Sequence, residues 1–261
     1  MIRIAAVATM AACLATSATS EQICSGFGPQ TPRDISDLRG RNTQIFPAAP
    51  ASTEMNLCNI HTHTNAEHKG PGFSVYAGDG DHGGWKCNET ESLTAEELED
   101  PTHGHGAFHG VKPGDTIEVH WVHTSCQVEP GPGLGSCLSE SCANPVLRVE
   151  AQVFLVVNDD DAADFMDYAY RGTMRNGLHQ PRALPAGTGT PVVFPGSTTG
   201  TKYTQATCSP LQVTWSVRPQ CQKVNYRSLL KWVADGNVFE EDHSHGVRQI
   251  VTALQLLAPI Q

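Results

Sequence analysis

Runs of alternating, β-branched and aromatic residues lay out most of the regular structure along the chain. Leu57 to Thr64 reads as a strand, and so does the stretch from Thr116 through Ile117, Val119, Trp121 and Val122, which suits a pleated, half-buried surface. Pro145 to Val157 is a third strand, apolar on both faces toward its end. Leu211 to Val217, alternating around Val213 and Trp215, is a fourth. Short helices are predicted at Leu93 to Glu99, where Thr94 caps a first turn rich in acids, and at Ser228 to Ala234. Asn158 to Asp164 opens a further short helix, and Gln249 to Leu257 is a terminal strand or helix. Residues 21–57 form a polar, extended arm, and 69–110, 126–144 and 181–210 have the Gly, Pro and Asp content of loops. No internal repeat interrupts this order. The predicted fold is mostly β (α+β), one domain on a central, mainly antiparallel twisted sheet with short peripheral helices and long loops.

Composition adds a compartment. With 261 residues, 39% of them hydrophobic, the chain is long enough to bury one sizeable core. Arg3, the apolar run Ile4 to Ala15 and the small residues up to Ser20 predict a signal peptide over residues 1–20, leaving 21–261 as the mature domain. The alternative is a lipobox at Met10-Ala11-Ala12-Cys13, with Cys13 acylated. No later segment reaches the roughly 18 apolar residues of a transmembrane helix. The net charge of −10 argues against nucleic acid and anionic membranes as partners. Past residue 20 the chain keeps eight cysteines: Cys24, Cys58, Cys87, Cys126, Cys137, Cys142, Cys208 and Cys221. An even count after a secretory leader reads as disulfides in an oxidising compartment, periplasmic or secreted.

The candidate chemistry lies on the first two strands. His61 and His63 are two apart and so leave one face of an extended chain, as do Glu118 and His120. With the strands side by side, three imidazoles converge with a carboxylate one pleat behind. Three neutral histidines and an open fourth position are the ligand set of a catalytic zinc site. His68 in the same segment is the rival third ligand. Glu118 is placed to accept the His120 ring N–H, Asn59 to do the same for His61, and Glu67 to orient a hydroxyl near the metal. His123 falls on the opposite face and reads as a core histidine. His103, His105, His109, His243 and His245 sit in polar loops.

At these residues the sequence resembles a carbonic anhydrase. Asn59-Ile60-His61-Thr62-His63 with Glu67-His68, and Glu118-Val119-His120-Trp121-Val122-His123, are similar to the alpha-class zinc segments. Pro195-Gly196-Ser197-Thr198-Thr199 and Val213-Thr214-Trp215 resemble that class's substrate-pocket segment. The wording is closest to the delta class in Cys58-Asn59-Ile60-His61, Asn65-Ala66-Glu67-His68-Lys69-Gly70, Gly135-Ser136-Cys137-Leu138-Ser139-Glu140-Ser141 and Leu147-Arg148-Val149-Glu150-Ala151-Gln152-Val153-Phe154. The likeness runs from about residue 57 to 220. It implies an alpha-carbonic-anhydrase-like fold and reversible hydration of CO2 on Zn2+ held by His61, His63 and His120, positions that Co2+ or Cd2+ also fit. It further implies Glu118 and Asn59 as partners of the ligand histidines. Glu67 would act through a threonine hydroxyl to aim the nucleophile. Counting from Pro195 makes that threonine Thr198 or Thr199, and counting back from Cys208 makes it Thr204. Phe194 stands where an aromatic hydroxyl is expected, and no residue matches the alpha-class proton shuttle; His82, His103, His105 and His109 qualify by residue type alone. Secreted members imply a Cys24–Cys208 bridge. Two other readings compete. One is a cupin-type metal enzyme using His61, His63, Glu67 and His120, and the other is a secreted metal-binding protein without turnover.

Overall fold

A six-stranded sheet carries the site. The computed structural model describes residues 22–44 and 46–261, so the leader and the Cys13 alternative lie outside the described residues. In chain order the strands are β1 (Asn56–Thr64), β2 (Val75–Gly78), β3 (Gly84–Lys86), β4 (Thr116–Thr124), β5 (Leu147–Val157), β6 (Met174–Arg175), β7 (Leu178–His179), β8 (Val192–Ser197), β9 (Gln212–Val217) and β10 (Gln222–Asn225). Among the described residues there is one α-helix, α1 (Tyr226–Ala234), after β10, and the strands of the main sheet lie in the order β1-β4-β5-β9-β8, with β10 also paired to β5. β1 with β4, β4 with β5 and β8 with β9 are antiparallel, whereas β5 with β9 is parallel. The sheet is therefore mixed, with antiparallel pairs in the majority.

The far edge of β5 is shared. β9 pairs with Arg148–Ala151 and β10 with Phe154–Val157, both parallel. Gln152 sits at the break, where its side chain donates to Gln220 O at 2.8 Å and accepts from the Thr188 hydroxyl at 2.8 Å. A buried break in a ladder needs such partners for its stranded polar groups.

Both faces of the sheet are covered, which explains why β4 is buried at every position. One face packs Val149, Ala151, Val153, Leu155, Phe194 and Trp215 with Ile35 and Phe73. The other packs Ile117, Val119, Trp121, Phe154 and Val156 against Phe165 and the Leu229 and Trp232 side of α1. Asn225 caps α1 by accepting the Ser228 N–H at 3.1 Å, so the helix begins two residues earlier than its apolar pattern predicts.

Several sequence expectations change. β8 lies inside what reads as the loop 181–210; an edge strand tolerates the Pro195 that disguises it. The 69–110 stretch holds the β2–β3 hairpin. Leu93 to Glu99 makes only a turn. Thr94 and Glu97 do exchange capping bonds, at 2.8 and 3.2 Å, but Leu98 stays exposed and no apolar face is buried to propagate a helix. Asp164 caps a 3-10 turn, Phe165–Asp167, in place of a helix starting at Asn158. Gln249 to Leu257 is irregular apart from a 3-10 turn at Leu254–Leu256. Its backbone bonds go to the N-terminal arm, with Gln30 N–H donating to Leu256 O and Val251 N–H to Pro32 O.

Four disulfides staple the connections: Cys24–Cys208, Cys58–Cys137, Cys87–Cys221 and Cys126–Cys142. All eight described cysteines are paired, the first as the resemblance implies, and this points to an oxidising environment outside the cytosol. Among the described residues no helix is long and apolar enough to cross a membrane.

Candidate metal centre

His61 and His120 are direct partners across the β1–β4 ladder, and His63 lies one pleat along, opposite Glu118. This register places all three rings on the Trp215 side of the sheet. The ring centroids are 5.1, 5.0 and 4.7 Å apart, and one nitrogen from each ring lies within 4.8 Å of the other two. His63 and His120 are buried, while His61 reaches a cleft of about 480 Å³ lined also by Asn59, Thr199, Thr201, Glu241 and His245.

The remaining nitrogens fix the tautomers. Asn59 donates through its amide to Gly131 O at 3.0 Å, which turns its Oδ1 toward His61 Nδ1 at 2.6 Å. That oxygen only accepts, so His61 Nδ1 carries the hydrogen. His63 Nδ1 donates to Gly246 O at 3.0 Å, and His120 Nε2 lies 3.2 Å from the Glu118 carboxylate. Three lone pairs are left pointing inward, on His61 Nε2, His63 Nε2 and His120 Nδ1. His61 Nε2 and His120 Nδ1 face each other at 3.2 Å, and His63 Nε2 is buried without a partner. Three converging imidazole nitrogens are the donor set a metal ion takes, so the residues fit a metal ion. Burial, with the neighbouring imidazoles, holds His61 well below the ordinary histidine range, and burial likewise lowers His63. Both rings therefore stay neutral, the state a ligand needs.

Behind the rings Glu118 accepts three N–H groups and faces a fourth ring nitrogen. Oε2 accepts from the Glu67 and His68 backbone at 2.6 and 3.2 Å, and Oε1 accepts from His68 Nδ1 at 2.9 Å and faces His120. Burial alone would raise its pKa, but the contacts with His68 and His120 outweigh this and hold it well below the carboxylate range. His68 thus stands behind Glu118 and packs on Trp215 at 4.6 Å, outside the three-histidine cluster.

Glu67 Oε1 accepts the Arg248 backbone N–H at 2.8 Å, and Oε2 is buried without a partner. Of the threonines, Thr199 lines the cleft. Thr198 bonds Ser209 Oγ at 2.6 Å, and the Thr204 hydroxyl accepts the Ala206 and Thr207 N–H groups in a turn. His82, His103, His105 and His109 do not line the cleft. His123 is wholly buried on the other face, its Nδ1 donating to Trp121 O at 3.1 Å. Sequence reasoning missed the strap 241–248, which supplies Glu241, His245, Gly246 and Arg248 from far along the chain. The only signal was the His243-x-His245 pair, set in a polar segment.

The comparison with curated proteins returned no match. A solved alpha-carbonic anhydrase from Thermovibrio ammonificans, in complex with the inhibitor sulfanilamide, is similar at 16% identity over 84% of this chain and 83% of that one. At a TM-score of 0.28 the likeness carries no weight for the fold. The family model for delta carbonic anhydrase matches residues 52–228, more than half of the chain and a span holding all three histidines with Asn59, Glu67 and Glu118, and so the chain belongs to the delta carbonic anhydrase family.

Proposed function

We propose that the protein catalyses the reversible hydration of CO2 to bicarbonate and a proton, with Zn2+ held by His61 Nε2, His63 Nε2 and His120 Nδ1. The observation that carries this reading is the convergence of one nitrogen from each of His61, His63 and His120 within 4.8 Å, with Asn59 Oδ1 and Gly246 O on the opposite nitrogens of the first two and the Glu118 carboxylate 3.2 Å from that of the third. When bound, zinc supplies the Lewis acidity that makes water nucleophilic near neutral pH.

The chain's own residues do the rest. Asn59, Gly246 and Glu118 hold the three imidazoles in their tautomers. Buried Trp215 packs edge-on against His120 at 5.0 Å between ring centroids. Thr199 is the hydroxyl we assign to the unpartnered Glu67 Oε2, in preference to Thr204, whose hydroxyl is spent on its own turn. An ionised Glu67 can only accept, so the Thr199 hydroxyl would donate to it and turn a lone pair to the cleft, orienting the attacking water. The cupin-type reading needs Glu67 as a fourth ligand, but the three-histidine cluster does not include it. Residues 1–20 act in this reading as a cleaved leader that delivers the chain to the periplasm or exterior.

Stopped-flow CO2 hydration on the purified protein, with bound metal quantified, tests the assignment. Fast hydration with near-stoichiometric zinc, abolished in His120→Ala, is expected. Zinc without hydration would instead support a binding protein.

A further inference from the structure

β1 is the outermost strand of the sheet, and an edge strand leaves alternate N–H and C=O groups without a ladder partner. Here the strap 241–248 runs along that edge. Thr64 N–H donates to His245 O and His245 N–H donates to Thr62 O, each at 2.8 Å, forming a parallel bridge between His63 and His245. The Thr62 N–H itself meets no carbonyl. It donates to Glu241 Oε1 at 2.7 Å, and the Thr62 hydroxyl lies 3.1 Å from the same oxygen. Glu241 Oε2 lies 3.2 Å from His245 Nε2. Glu241 is 5% exposed and lines the cleft.

Thr62 is the residue between His61 and His63, so the peptide joining two of the three donors is held by a carboxylate. A backbone carbonyl would satisfy that N–H equally well as far as the fold is concerned. A carboxylate costs more to bury, and it brings a charge. Three neutral imidazoles bring none to a divalent cation. The strap docked in this way also carries Gly246 O, which fixes the His63 tautomer, and the Arg248 N–H that Glu67 accepts.

We propose that Glu241 is a positioning residue for the metal: it docks the strap on the peptide between His61 and His63, and its buried charge strengthens cation binding. Glu241 lies beyond the matched residues 52–228, and the inference rests on the ligand assignment above.

The test uses the full, oxidised chain stripped of metal. Zn2+ affinity is measured by competition with a chromophoric chelator for the wild type, E241Q and E241A, and amide exchange is followed at Thr62, Thr64 and His245. E241Q keeps an acceptor oxygen for Thr62. It should leave exchange protection unchanged while binding Zn2+ about tenfold more weakly, and E241A should lose protection and up to about a hundredfold in affinity. Wild-type affinity in E241Q would overturn the role of the charge, even if E241A failed to fold. A wild-type protein that bound no Zn2+ would bring down the ligand assignment itself, which separates the two failures.

Discussion

His123 gives the protein a built-in sensitivity to acid that is independent of the metal. It lies on β4 but on the face away from the three converging histidines, is wholly buried, donates through Nδ1 to Trp121 O, and leaves Nε2 buried without a partner. Burial lowers its pKa to about 4, against 6.5 for an ordinary imidazole, with Glu150 opposing the shift. The unfolded chain therefore binds this proton more readily than the folded one. Stability is at its full value above pH 6.5 and falls as the pH drops from 6.5 toward 4. At about 1.36 kcal/mol per pH unit the whole effect is roughly 3.4 kcal/mol, of which ~2 kcal/mol appears between pH 7 and pH 5. Urea unfolding of the wild type and His123→Leu at both pH values, with chelator present and disulfides intact, isolates the term. The wild type should lose about 2 kcal/mol more than the variant over that interval. Equal losses would show that the buried ring does not titrate as described.

Two further outcomes follow from the same structure. Asn59→Ala leaves His61 Nδ1 without its acceptor and frees the ring to turn, so Zn2+ affinity should fall about 10- to 100-fold by chelator competition, while the metal-free protein loses about 1–3 kcal/mol in urea unfolding because Gly131 O also loses its donor. Replacing both Cys58 and Cys137 by Ser opens a crosslink spanning 79 residues, which on chain entropy should lower stability by about 4 kcal/mol in urea unfolding.

The ladder that builds the site is the part of this protein most open to reading from sequence. β1, β4, β5 and β9 each signal themselves locally, and a period of two fixes which residues share a face, so His61, His63, His120, Glu118 and Asn59 could be grouped without coordinates. Local signals fail elsewhere for physical reasons. Pro195 and Gly196 hide β8, because an edge strand does without the hydrogen bonds and side chains that identify a central one. The apolar residues of 249–257 bury against the N-terminal arm and Cys208, a tertiary contact with no period of its own. The strap is harder still. Gly246 contributes a carbonyl and Arg248 an N–H, groups every residue owns, so no residue type could announce them. The choice among Thr198, Thr199 and Thr204 likewise depends on which hydroxyls the surrounding turns already occupy.

The β1–β4 register shifts between Leu57, opposite His123, and Asn59, opposite Val122, so Cys58 is an extra residue in β1. A bulge of this kind puts Cys58 and Asn59 side by side on one face, the disulfide next to the partner of His61. It also makes tolerance to length change sharply uneven along a few residues. Loss of Cys58 would restore a plain ladder and leave the histidines facing as they do. Loss of Ile60, two positions on, would either turn His61 and His63 into the aromatic core on the far side of the sheet or force the whole strand out of register. For anyone shortening, permuting or recombining this chain, position 58 is a joint that absorbs an error in register, though not the loss of its disulfide, and the stretch beginning at Asn59 is a ruler that does not.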